Sequence, residues 1–194
     1  MHKASVGVRA VVLLVAMLAG CARAWGQEER PPSLVCAIQA RSLEIGVQLY
    51  AQKHGGKLPP DMYSALEAFA ASEKKSVEEL ARTGLISPAH AEILKAPKEI
   101  TPAWVNESSS YRYLGNAEVS MDDVQDWSSV VIMHQRLEQG HAGTPTPENP
   151  TGELFSVAFL DGHVITCGRA EAEHLVAESA AFLDSFRTGA PAPD

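Results

Sequence analysis

Leu154-Phe155-Ser156-Val157-Ala158-Phe159-Leu160-Asp161-Gly162-His163-Val164-Ile165-Thr166-Cys167 decides the fold. Two β-type runs flank an Asp-Gly pair whose residues tolerate positive φ, so the stretch reads as a hairpin. On its N-terminal side, Gly140 to Gly152 is rich in Pro, Thr and Gly and reads as a long loop. Before that loop, Val130-Val131-Ile132-Met133 is a continuous apolar run. Tyr111-Arg112-Tyr113-Leu114 alternates and stops at Gly115, so two further strands are expected. After the hairpin, the segment from Ala170 to Arg187 reads as a helix with Leu175, Ser179, Phe182 and Phe186 on one face.

The first half of the chain is helical in pattern. A long helix is expected from Ser33 to His54, its apolar stripe traced by Leu34, Ile38, Ile45 and Leu49 and widened by Val35, Leu43, Val47 and Tyr50. Gln39, Arg41, Glu44, Gln48, Gln52 and Lys53 supply its polar positions. Gly55-Gly56 closes it, and Pro59-Pro60 prevents its continuation. Ser64-x-x-Glu67 and Ser76-x-x-Glu79 have capping-box spacing and mark two short helices, the second ending at Gly84. Ser87-Pro88 starts a third, through Leu94. The order of long helix, short helices, antiparallel strands and helix gives the fold class α+β. A long N-terminal helix and the later helices are expected on one face of a small antiparallel meander.

The N-terminus reads as an export signal. Residues 1–9 carry Lys3 and Arg9 and no acid. Ala10 to Ala19 is uncharged and wholly apolar. At about 1.5 Å per helical residue this is too short for a bilayer core of about 30 Å, but it suits the h-region of a secretory signal. Leu18-Ala19-Gly20-Cys21 looks like the lipobox of bacterial lipoproteins, in which the Cys is diacylated and becomes the new N-terminus. Ala22-Arg23-Ala24 is a rival A-x-A site, with ordinary cleavage before Trp25 and release of an unlipidated protein. The lipobox is preferred because its four positions follow the h-region in order. The expected organisation is a signal at 1–20, the lipidated Cys21 and a tether over 21–32, a globular domain over 33–187 and a disordered tail over 188–194. Extended, that tether reaches about 40 Å from Cys21.

Composition excludes other classes. The 194 residues carry 16 Lys+Arg against 24 Asp+Glu, and only 6% are aromatic. Nucleic-acid binding needs clustered Lys and Arg, so no nucleic-acid partner is expected. From Cys21 onward 14 basic residues face 24 acidic ones, a charge of -10. An acidic head gains nothing from anionic lipid, so acyl chains rather than charge would hold it to the membrane.

Several segments, in order, resemble the globular part of bacterial pilin-like proteins. The nearest groups are the major pseudopilins of type II secretion and relatives with a prepilin-type H-X9-DG C-terminal motif. Cys36, Leu43, Leu49-Tyr50, Gly55-Gly56 and Pro59 fall in the register of their stem helix. Gly84-Leu85-Ile86 and Ala96-Pro97 resemble a Gly-Tyr-Leu … Cys-Pro stretch, without its Cys. Ser110-Tyr111-Arg112-Tyr113-Leu114-Gly115 resembles an SYxYLG strand. Phe155 to Val164, with Asp161, Gly162 and His163 at its turn, resembles the NVLFADGHV hairpin. Two departures stand out. The family His would fall at Thr151, and no prepilin cleavage site or long apolar stem is present. With the export signal and lipobox in place of that stem, the expectation is a pilin-like head on a membrane tether, exported and anchored in the bacterial cell envelope, facing the periplasm or the surface. Its partners would be pilin-like or secretion-system proteins, and its role structural or interactive.

Candidate chemistry is sparse. Cys36 and Cys167 remain once Cys21 is lipidated; in an oxidising compartment they form either a disulfide or two buried thiols. Asp161 and His163, with His134 or His141, are either the start of a metal site or a turn Asp and a strand His. Asp122, Asp123 and Asp126 are either oxygen ligands for Ca²⁺, as acidic loops are in some pseudopilins, or a solvated acidic loop that does not match an EF-hand. In both cases the plain reading is preferred, and no metal or other cofactor is expected. Nucleophile elbow, Walker A loop, H-E-x-x-H and Gly-rich dinucleotide loop are all missing, so no enzyme activity is expected. A ligand- or metal-binding lipoprotein on the same fold is the alternative. A cleft near Asp161, His163 and His134 would favour it.

Overall fold

A computed structural model describes residues 32–82, 99–138 and 140–189. The export signal, Cys21, the tether up to residue 31, the helix expected from Ser87 to Leu94, Gly84-Leu85-Ile86, Ala96-Pro97 and the tail from residue 190 lie outside the described residues.

Five α-helices and one antiparallel sheet of five strands make up the described chain. The mixed helix-and-sheet content is that of the expected α+β class. Helix α1 spans Pro32–Lys53. It closes as expected: Gly55 and Gly56 take φ of 66° and 86°, and the Gly56 N–H donates to the Ala51 carbonyl at 2.8 Å. That bond pattern satisfies carbonyls of the last turn, and positive φ costs glycine little.

The buried stripe of α1 differs from the expected one. Cys36, Ala40, Leu43, Glu44, Val47 and Ala51 are buried, whereas Leu34 and Ile38 are 47% and 45% exposed. Small residues decide the seating. A Cβ at Gly46 would fall 2.2 Å from the Ala65 carbonyl oxygen, so only glycine lets α1 lie this close to helix α2, Met62–Glu73. Large aliphatic residues mark a stripe by hydrophobicity, but close helix approach is set by where side chains are missing.

Caps locate the short helices. Asp61, not Ser64, caps α2, its Oδ1 accepting from the Ser64 N–H at 2.8 Å. Helix α3, Val77–Arg82, has the expected capping box: the Glu79 carboxylate accepts from the Ser76 N–H at 2.7 Å and the Ser76 hydroxyl from the Glu79 N–H at 3.1 Å. Helix α4, Pro102–Ser108, was not anticipated, although Thr101 as N-cap and Pro102 in the first turn are its signals.

The strands are β1 Tyr111–Tyr113, β2 Val131–Gln135, β3 His141–Ala142, β4 Glu153–Phe159 and β5 Val164–Gly168. The expected long loop therefore contains a two-residue strand. β4 is central, pairing with β2 and β3 along one edge and with β5 along the other. β2 carries a bulge between Val131 and Met133. Helix α5, Arg169–Thr188, is the last element of the described residues and is one residue longer than expected at each end.

The helices do not all lie on one face of the sheet. Phe155, Val157 and Phe159 of β4 pack with Ala172, Leu175 and Val176 of α5. Ala158 and Leu160 pack with the core of α1 and α2. Side chains alternate across a strand, so the two sets point to opposite sides, with α1 covering one and the first half of α5 the other, while Leu183, Phe182 and Phe186 further along α5 reach the α1 cluster. The near-continuous burial of β4 from Phe155 to Phe159 is the sequence mark of such a strand.

Candidate site at the stem–hairpin junction

The hairpin turn is built on glycine. Gly162 has φ of +90°, and its N–H donates to the Phe159 carbonyl at 2.9 Å while the Phe159 N–H donates to the His163 carbonyl at 3.0 Å. The loop thus has three residues, Leu160, Asp161 and Gly162, and positive φ at Gly162 alone, rather than a two-residue Asp-Gly turn. Asp161 completes it by accepting from the His163 N–H at 3.0 Å and meeting His163 Nδ1 at 2.6 Å. The His163 ring stacks on Phe159 with centroids 4.0 Å apart.

α1 meets this turn with charge. Arg41 Nη1 donates to the Gly162 carbonyl and to Glu44 Oε2, the latter at 2.9 Å. Gln48, one turn further on, donates to the Leu160 carbonyl at 3.5 Å. The φ of Gly162 favours glycine, and a Cβ there would overlap the Arg41 guanidinium and displace it from the Gly162 carbonyl. Glu44 is fully buried, and its Oε1 has no hydrogen-bond partner. Burial raises its pKa to about 7, against the opposing pull of Arg41 and Gln48 and with a smaller push from Asp161. At Asp161 burial also pushes upward, but the backbone and ring hydrogen bonds of His163, with the charges of His163 and Arg41, outweigh it and hold the carboxyl below its usual range. In sequence Glu44 is one of the polar positions of the helix, with nothing to mark it as buried. Arg41 and Glu44 form an ordinary i,i+3 pair, and what buries the acid comes from far along the chain.

The remaining candidates are dispersed. Cys36 Sγ lies 2.9 Å from His141 Nε2, in the seam between α1 and the sheet, with the Tyr111 hydroxyl donating to the Cys36 carbonyl at 2.9 Å. Burial pushes the Cys36 thiol up, with Tyr111 opposing, so the pair is a protonated thiol beside a histidine. Cys167 pairs in register with Phe155 and packs with the cluster under α5. Of the two alternatives, the structure holds two buried thiols: both cysteines are free and the sheet separates them. His134 pairs with Val157 in register and so points to the α5 side; its Nδ1 donates to the Gln135 carbonyl at 2.8 Å. Burial lowers its pKa, and its Nε2 has no partner. Asp161 and His163 are thus brought together, but His141 pairs with Leu154 at the opposite end of β4 and His134 is held on the Gln135 carbonyl, so neither joins them.

Asp122, Asp123 and Asp126 surround a 3-10 turn over Met121–Asp123. Asp123 accepts from the Ser120 N–H at 3.0 Å, completing a capping box. Asp126 accepts from the Ser128 N–H at 3.0 Å and its hydroxyl at 2.6 Å. Asp123 and Asp126 thus shape their own turns, and among the described residues no three His, Cys, Asp or Glu side chains gather as a metal site. Also among the described residues, no helix is long and apolar enough to cross a membrane. No family model matches the sequence, no curated protein matches it, and no solved structure matches the fold.

Proposed function

We propose that this chain is a non-enzymatic, lipid-anchored, extracytoplasmic pilin-like module that serves a structural or interaction role at a secretion or envelope assembly. One observation supports it above the rest. The Asp161-Gly162-His163 turn, the most specific part of the pilin-like resemblance, is clamped to the stem helix by Arg41. Its backbone is spent on holding the head to the stem rather than on lining a reaction centre. The thiol–histidine pair of Cys36 and His141 is buried and its thiol is protonated, which suits packing more than nucleophilic attack.

Two measurements test the reading. Intact mass of the membrane-associated protein should show two acyl chains on Cys21. A lipid-free protein beginning at Trp25 would replace the anchor with ordinary secretion. Crosslinking in intact envelopes, followed by identification of partners, should recover pilin-like or secretion components. Recovery of none in the chain's native envelope would defeat the assembly role.

A further inference from the structure

A groove of about 880 Å³ lies between α5 and the acidic loop that follows the 3-10 turn. It does not include His134, Asp161 or His163, although its loop is tied to the hairpin turn, with the Leu160 N–H donating to the Val130 carbonyl at 2.9 Å and the Asp161 N–H to the Trp127 carbonyl at 3.2 Å. Its floor is apolar: Val130 from the start of β2, with Phe182 and Phe186, whose rings meet edge to face at 5.2 Å. Its rim is acidic on both sides, with Asp123 and Asp126 on the loop and Glu178 on the helix, and none of the lining residues is basic. The hydrogen bonds from Ser128 hold the Asp126 carboxyl below its usual range and so keep it ionised.

We infer that this groove docks a short stretch of a partner polypeptide in which lysine or arginine flanks aromatic or aliphatic side chains. Charge complementarity selects the cation, because an anionic or neutral stretch would leave Asp123 and Asp126 facing no opposite charge among the described residues and Glu178 only the exposed His174 at 3.5 Å. The apolar floor selects the side chains between the cations. Shape selects a peptide over an enclosed small molecule. Small-molecule sites bury most of their ligand, whereas this groove runs open along α5 from Ala177 to Phe186, about 14 Å at helical rise. Four residues of extended peptide cover about the same length. The inference uses no lipid and holds for an anchored or a free chain, so it stands or falls separately from the assembly role.

Fluorescence anisotropy of labelled tetrapeptide amides on the full chain tests it. Lys-Phe-Leu-Lys should bind and saturate, and Glu-Phe-Leu-Glu and Gln-Phe-Leu-Gln should not. Asp126→Asn with Glu178→Gln should weaken binding about tenfold, the effect of losing two exposed charge contacts. Asparagine retains an acceptor for the Ser128 turn, and an unchanged melting curve confirms the fold. Ala181→Trp, on the exposed wall of the groove, should block binding sterically. Glu67→Gln with Glu73→Gln, exposed on α2, controls for the general acidity of the chain and should change nothing. Equal binding of all three peptides, equal loss in the α2 control, or full binding by the Ala181→Trp protein would each overturn the docking site.

Discussion

An ionised Glu44 has Arg41 against one carboxylate oxygen and nothing against the other. Its pKa is raised from the model-compound value of 4.5 to about 7, so the folded state holds the proton more tightly than the unfolded chain does. The resulting stability is fully present below about pH 4.5 and is lost as pH rises towards 7. The loss amounts to something on the order of 3 kcal/mol once the rise is complete. Glu44→Gln should remove that slope and make the protein more stable than the wild type at pH 8; urea unfolding at pH 4.5 and pH 8 measures both, and parallel pH profiles would refute the assignment. Gly162→Ala tests the same junction from the turn. Its φ of +90° and the overlap with Arg41 should together cost about 1–3 kcal/mol, and Arg41→Ala in the same chain should restore part of it. Asp161 and Gly162 were legible because a hairpin turn is a local device with local residue demands. Glu44 was not, because what covers it comes with the hairpin turn, whose Gly162 carbonyl lies 121 positions beyond its partner Arg41, and the sequence around Glu44 carries no mark of that.

At the level of single elements, α5 is tied to the sheet by one buried hydrogen bond. The Ser179 hydroxyl accepts from the Val131 N–H at 2.8 Å, beside the bulge in β2. Ser179→Ala leaves that backbone donor without a partner and should cost about 1–3 kcal/mol. Amide exchange at Val131 should then quicken more than at Val157; unchanged exchange at Val131 would refute the tie. Helix α5 shows how far periodicity carries. Ser179 was placed on the buried face, but the fully buried partner one turn on is Leu183, with Phe182 and Phe186 only partly covered. Aromatic residues drew the stripe one position off, much as Leu34 and Ile38 did on α1. Strand β3 had no signal at all: two residues, His141 and Ala142, pair only because β4 offers an edge beyond the end of β2. A strand recruited by its neighbour cannot be read from its own sequence.

For the molecule as a whole, the disposition of the cysteines follows from the two-sided cover of the sheet. Cys36 belongs to the α1 side and Cys167 to the α5 side. Titration of thiols in denaturant should give the same count with and without reductant, and an increase with reductant would mean the two are bridged. In the native protein Cys167 should react slowly, since burial pushes its thiol up to about 11. The expectation of helices on one face failed for a physical reason. Which side of a sheet a following helix takes is set by the path of the chain at the end of β5, and hydropathy does not encode that path. This layering also fixes when the protein can fold. α1 is synthesised first, yet Arg41 waits for Gly162 and Cys36 for His141, 105 positions later. The aromatic side of β4 stays bare until α5 has left the ribosome. At about 5–20 residues per second the nascent α1 spends several seconds without its partners. Contacts this distant in sequence make folding slow and late, so the last helix acts as the closing step. A chain stopped at Gly168 would carry Phe155, Val157 and Phe159 uncovered and should be recovered as aggregate rather than as a smaller folded protein.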